Sequence, residues 1–247
     1  MFTPASRDAL RQRLVGRAQA DPSCTAAALL GSAARDEEDA WSDIDLALRL
    51  ADGADVDAVL ADWTDWLTSE LDVADTLDVH ASGAVYRVFL CDDSLQIDLS
   101  LWPSDAFRAT NGEPLRLLFG EVLESDPAPD PDWRQPARMG WLYALHARSA
   151  VARDRGLQAD LMLTSWRQSV LTMACLRLGL NPSHGRGAHL LPDELQAALT
   201  EARPASLATT DLRRALARTA ALYLGELSRH DDEYAARLRP SMNEVGA

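Results

Sequence analysis

Asp43 and Asp45 stand two residues apart in Asp43-Ile44-Asp45-Leu46, and a third aspartate, Asp98, stands in Ile97-Asp98-Leu99. On an extended strand, side chains at i and i+2 share a face, so Asp43 and Asp45 point one way while Ile44 and Leu46 point into a core. Two carboxylates held side by side and partly out of water are costly unless something positive lies between them. A divalent metal answers that need. Hard oxygen donors suit Mg²⁺, which keeps several waters and recruits substrate phosphates. A third carboxylate on a neighbouring strand completes a site for two metals, able to clamp the attacking and leaving oxygens of a phosphoryl displacement. Gly31-Ser32, separated from Asp43 by ten residues, closes an apolar run. The glycine allows close backbone approach, and the segment after it can offer N–H groups and the Ser32 hydroxyl to a phosphate tail. Capping of the following helix is the plainer role for Ser32.

The elements that must place these residues are legible from periodicity. Residues 6–19 repeat apolar groups at helical spacing, 25–30 form a buried strand, 42–50 alternate as a second strand, and 55–71 read as a helix. Residues 77–81, 85–91 and 95–102 read as three more strands, two of them paired around Asp92-Asp93-Ser94. The Pro- and Asp-rich stretch from Ser125 to Asp132 marks a domain boundary. Beyond it, 138–155, 157–179 and 209–238 carry helical periodicity, Asn181-Pro182 stops the second of these, and Leu191-Pro192-Asp193-Glu194 opens another helix. The expected architecture is α+β followed by a helical bundle.

Apolar-Gly-Ser, ten residues, Asp-apolar-Asp-apolar and then apolar-Asp-apolar resembles the DNA polymerase beta-type nucleotidyltransferase superfamily. The helical second half makes the chain most similar to the small two-domain antibiotic nucleotidyltransferases, which adenylylate aminoglycosides or lincosamides. The motifs span residues 25–102; the helical half is similar only in being a bundle. The resemblance implies a nucleotidyltransferase catalytic domain over 1–124 with a mixed β-sheet and flanking helices, a linker over 125–137, and a helical acceptor-binding domain over 138–247. It implies Mg²⁺-dependent transfer of a nucleoside monophosphate, AMP from ATP in the first instance, to a hydroxyl of a small molecule such as an aminoglycoside- or lincosamide-like antibiotic, with release of pyrophosphate. Asp43 and Asp45 would bind metal, Asp98 would be the third ligand or the general base, and Gly31 and Ser32 would hold the triphosphate. Arg35, close to the Gly-Ser turn, reads equally as a phosphate contact or as the partner of a neighbouring acid. Arg167 lies in line with Asp160, Thr164, Leu171 and Ala174 beside an apolar arc, so it must meet either the triphosphate or a carboxylate of the N-terminal half. The acceptor is expected between the two halves. Two other readings stay open: the same transfer to a protein or tRNA hydroxyl, and a nucleotide-binding protein without turnover.

Charge narrows the partners. Of the 247 residues, 38 are acidic and 24 basic, all arginine, for a net charge of −14. Residues 1–125 hold 24 acids and nine arginines, a formal −15. Such a surface disfavours long nucleic acid and favours a cationic acceptor or divalent metal, although it also serves simply to keep a protein in solution. The acidic run Asp36-Glu37-Glu38-Asp39 reads as a solvated loop. No apolar run reaches the ~18–20 residues of a membrane span, and the N-terminal residues lack a secretory pattern. Three scattered cysteines, Cys24, Cys91 and Cys175, form no disulfide or zinc pattern, so a cytoplasmic setting is expected. Trp63, Trp66, Trp133 and Trp141 read as core or interface; Trp102 reads as core, with a place in an acceptor pocket as the alternative. There is no G-x-x-x-x-G-K-[ST] loop, no G-x-G-x-x-G opening a helix after a strand, and no G-x-S-x-G elbow.

Overall fold

Thr3 and Pro4 start the first helix. The Ser6 N–H donates to Thr3 Oγ1 (3.1 Å) and the Thr3 N–H donates to Ser6 Oγ (2.9 Å), a reciprocal cap before α1 (Pro4–Ala20). Proline at the first helical position loses no hydrogen bond there. Arg7, Leu10, Leu14 and Ala18 form the buried face of α1.

The computed structural model describes residues 1–109, 114–125 and 130–247. The chain divides into two compact units, Met1–Pro129 and Asp130–Ala247. In the first, β1 (Cys24–Leu29), β2 (Ile44–Leu50), β3 (Val73–Ala81), β4 (Ala84–Cys91), β5 (Gln96–Trp102) and β6 (Arg116–Phe119) build a mixed sheet ordered β3-β4-β5-β2-β1-β6. The β2–β5 pair is parallel and the others are antiparallel. Two helices, α2 (Gly31–Arg35) and α3 (Val56–Glu70), complete the unit. Alternation in β2 and β5 gives the sheet two unlike faces. Ile44, Leu46, Leu48 and Leu50 join Ile97, Leu99 and Leu101 in a core closed by Leu10, Leu14, Trp63 and Leu67. The opposite face carries a smaller cluster of Ala26, Ala28, Ala47, Trp102 and Phe107.

The second unit comprises α4 (Arg134–Ala152), α5 (Gly156–Arg177), α6 (Asp193–Glu201), α7 (Thr209–His230) and α8 (Asp232–Gly246), with short 3-10 turns at Ser183–Gly185 and Ala188–Leu190. Ala137, Ala144, Ala147 and Ala150 bring α4 close to its neighbours, and Gly140 leaves room for the Tyr223 ring. Among the described residues no helix is long and apolar enough to cross a membrane.

The α+β class and the helical second half are as the sequence led us to expect. Four details differ. The helix expected over 209–238 is two helices: the Asp231 N–H ends α7 on Leu227 O (2.8 Å), and the Asp231 carboxylate starts α8 by accepting from the Tyr234 N–H (2.9 Å). Helix α5 stops at Arg177, before Asn181-Pro182, because Gly179 takes φ +68° and the Leu180 N–H returns to Cys175 O (2.8 Å). Helix α4 begins at Arg134, inside the stretch expected as linker, of which residues 126–129 lie outside the described ones. Strand β6 was not expected at all; four residues long, it exists through its pairing with β1.

Arg7 and Arg11 link α1 to the approach to β2. Arg7 is 3% exposed, and its Nη1 donates to Asp39 O (2.6 Å) and Ser42 O (3.2 Å). Its Nε lies 3.5 Å from Glu38 Oε1. Arg7→Met keeps the stem and deletes the donors, leaving two backbone carbonyls short of a partner and Glu38 with Arg11. The expected loss is roughly 2–3 kcal/mol, read from urea unfolding with an unchanged denaturant slope; a loss below the error of that measurement would show the clamp to be dispensable.

Candidate functional site

The register of β2 on β5 assembles the site. Asp45 pairs with Asp98, while Ile44 pairs with Ile97 and Leu46 with Leu99, so burying the leucines and isoleucines obliges both aspartates onto the opposite face. Asp43 immediately precedes β2. One carboxylate oxygen from each of Asp43, Asp45 and Asp98 lies within 4.8 Å of the others, and all three residues are half-buried. At an effective dielectric near 20, each such pair repels by on the order of 3 kcal/mol. Three hard oxygen donors at this spacing fit a divalent ion of the Mg²⁺ type, which would relieve that repulsion. The Gln96 amide also donates to Asp98 Oδ1 (2.8 Å).

Gly31 is built into the same place. It takes φ +58°, and a Cβ there would run into Asp45 Oδ2. The Leu30 N–H meanwhile donates to Asp45 O (3.1 Å), so the exit of β1 lies directly against the second aspartate. The close approach that the sequence assigned to a phosphate is therefore made first by a carboxylate of the chain itself. Ser32 is the second residue of α2 and does not cap it; the capping position is Leu30, which makes no side-chain cap bond. Within that turn the Ala34 N–H returns to Leu30 O (3.2 Å).

The remaining expectations separate. Arg35 ends α2 and pairs with Glu37 through Nε (2.7 Å). Arg167 lies on α5 in the second unit, where its Nη2 donates to Thr164 Oγ1 (3.0 Å) and its buried Nη1 meets no acceptor among the described residues. Burial pulls the Arg167 pKa below its ordinary value, Asp160 opposes that shift, and Arg203 adds to it. The acidic run is more than a solvated loop. Asp36 takes φ +57° and pairs with Arg116, Glu38 receives Arg7 and Arg11, and the Asp39 carboxylate accepts from the Trp41 N–H (2.8 Å) and the Ser42 hydroxyl (3.1 Å). Trp102 is core, 3% exposed, with its Nε1 donating to Ser100 Oγ (2.9 Å) and its ring edge-on to Tyr86 and Phe107. Burial pushes all three thiols up, Cys24 to about 12, which leaves no thiolate for nucleophilic chemistry near neutral pH.

Three contributors escaped the sequence reading. Arg7 had a signal, since it shares a helical face with Leu10, Leu14 and Ala18, where a charge demands a partner. Gln96 had a weaker one, standing at i−2 from Asp98 on one strand face. Trp41, whose N–H donates to the Asp39 carboxylate (2.8 Å) in the loop before Asp43, had none.

Gly31→Ala tests the geometry. The added Cβ must displace the Asp45 carboxylate, and Mg²⁺ or Mn²⁺ affinity is expected to fall roughly tenfold or more with little change in far-UV circular dichroism. Calorimetric titration of wild type and variant reads this; equal affinities would mean that Asp45 is not a ligand.

No protein-family model matches the sequence, and no curated protein matches it. Among solved structures, the chain is similar to an aminoglycoside 6-adenyltransferase from Bacillus subtilis, at 12% identity and a TM-score of 0.43, over 94% of this chain and 95% of that one. The likeness is in chain trace and carries nothing about what this chain acts on.

Proposed function

We propose that the chain is a nucleotidyltransferase that moves a nucleoside monophosphate, AMP from ATP in the first instance, onto a hydroxyl of a small acceptor. The observation that carries this reading is the convergence of Asp43, Asp45 and Asp98 within 4.8 Å beside the Gly31-Ser32 turn. Asp43, Asp45 and Asp98 would hold Mg²⁺, which when bound supplies charge neutralisation for the triphosphate and for the attacking and leaving oxygens. Gly31 and Ser32 would face the phosphate tail with backbone N–H groups and a hydroxyl. The acceptor oxygen forms a bond to the α-phosphorus as the bond from that phosphorus to the bridging oxygen breaks, and pyrophosphate leaves with the electron pair. Asp98 takes the hydroxyl proton, its other role being that of ligand. Arg167, with a buried donor that meets no acceptor among the described residues, is a further candidate anion contact. The −15 formal charge of residues 1–125 supports a cationic acceptor, with antibiotics of the aminoglycoside or lincosamide kind among the candidates.

Calorimetric binding of a non-hydrolysable ATP analogue is the first test. Wild type is expected to bind it only with Mg²⁺, and Asp43→Asn/Asp45→Asn to bind it at least roughly tenfold more weakly. In an acceptor screen that reads pyrophosphate, Asp98→Asn is expected to lower turnover roughly 10²-fold or more. A folded wild type that ignores every NTP analogue, with or without Mg²⁺, would overturn the proposal.

A further inference from the structure

The sheet face that carries the carboxylates continues past them as apolar surface that is half-buried at Tyr86 and Val88 of β4, where Tyr86 rests against the Trp102 and Phe107 cluster, and exposed at Leu90 and on β3. Asp98 pairs with Val88 and Val88 with Leu77, so one row across the sheet runs Asp45, Asp98, Val88, Leu77. The next row runs Ala47, Ser100, Tyr86, Val79, and the preceding one places Leu90 beside Gln96. Directly paired residues share a face, and the residues between them, Phe89, Ile97 and Leu99, are in the core on the other side. Leu77, Val79 and Leu90 are 63%, 44% and 48% exposed. Edge strands normally guard themselves with charge. On β3 the ion pair of Asp78 with Arg87, and the Arg87 bond to Thr64 of α3 (2.9 Å), are spent on the core side. The carboxylate-bearing side of β3 carries Asp75 and then Leu77 and Val79.

The reaction direction gives this surface a use, on the reading proposed above. Gly31-Ser32 follows β1, and the strand order places β1 on one side of Asp45 with Asp98 of β5 on the other. A phosphate tail over Gly31-Ser32 leaves toward β1, so an in-line attacking oxygen arrives over Asp98. The body of the acceptor then lies over β4 and β3. With strands ~4.8 Å apart, Val88 is about 5 Å and Leu77 about 10 Å from the Asp98 strand.

We infer that Leu77, Val79, Tyr86 and Val88 form the acceptor platform, and that the acceptor is an organic cation carrying an alkyl or aryl group within about 10 Å of its reacting hydroxyl. The cation answers the acidic surroundings, which include Asp75 paired with Leu90 on this face. The apolar group covers the leucine and valine.

The test compares glucosamine with its phenyl β-glycoside, titrated by calorimetry and amide NMR into protein saturated with Mg²⁺ and a non-hydrolysable ATP analogue. The phenyl glycoside is expected to bind roughly tenfold tighter, to shift amides of β3 and β4, and to lose that advantage in Leu77→Ser/Val79→Ser. A nucleotide titration on the same variant separates a local effect from unfolding. Equal affinities, or a preference that survives the double substitution, would overturn the inference alone. A wild-type dimer that the substitution dissociates would assign the surface to a second copy and overturn it as well. Failure of the wild type to bind the nucleotide would remove the underlying reading, and this inference with it.

Discussion

Mutual repulsion among Asp43, Asp45 and Asp98 is the constraint around which the first unit is arranged. Left to themselves, three carboxylates within 4.8 Å would separate. They are held together because each of the two strands also buries alternate apolar residues on its other face. Shifting β2 by one residue would relieve the charges, but it would turn Ile44, Leu46, Leu48 and Leu50 out of the core. Hydrophobic burial of four such side chains, at about 1.5–3 kcal/mol each, matches the repulsion in order of magnitude, and the packing of Ile97, Leu99 and Leu101 in the same core adds to it. The core therefore fixes the charges in register.

Supporting contacts restrict the carboxylates further. Arg7 holds the loop into Asp43 by its carbonyls, Asp39 ties the same loop to Trp41 and Ser42, and Gly31 leaves the volume that the Asp45 carboxylate fills. These contacts come from α1, from the loop itself and from the exit of β1, so the site is pinned from several directions. Such pre-organisation is what a metal or a reacting phosphate requires, because reorganisation during the reaction is then small.

The second unit places its buried charge differently. Glu226 is fully buried, yet Arg177 meets it at 2.6 Å, Arg229 at 3.1 Å and His230 at 3.5 Å. His230 also stacks on Trp133 and reaches Met173 O (3.1 Å). A carboxylate so surrounded is satisfied by its own helices and has little capacity left for a substrate. It reads as a structural network, whose loss would strand a buried charge. The contrast with the aspartate cluster is one of sign: there, three like charges converge within 4.8 Å.

Much of this was legible in the residues alone. Alternation in Ile44–Leu50 and around Asp98 announced two strands with acidic and apolar faces, and helical periodicity separated the second half from the first, because both signals are local and survive without neighbours. Helix ends were less legible: Asp231 and Gly179 interrupt the periodicity through single hydrogen bonds and one positive φ, which averaging over a window hides. Strand β6 depends on a partner far away in sequence, so no local pattern announced it, and the reach of β3 back to Val73 is set by its hairpin pairing with β4. The sequence by itself determined which side chains could carry the chemistry and which faces they share. Only the tertiary structure decided that Asp45 meets Asp98, that Gly31 makes room for a carboxylate, and that Arg7 clamps the loop between them, because register and close approach are settled by the packing of the whole core.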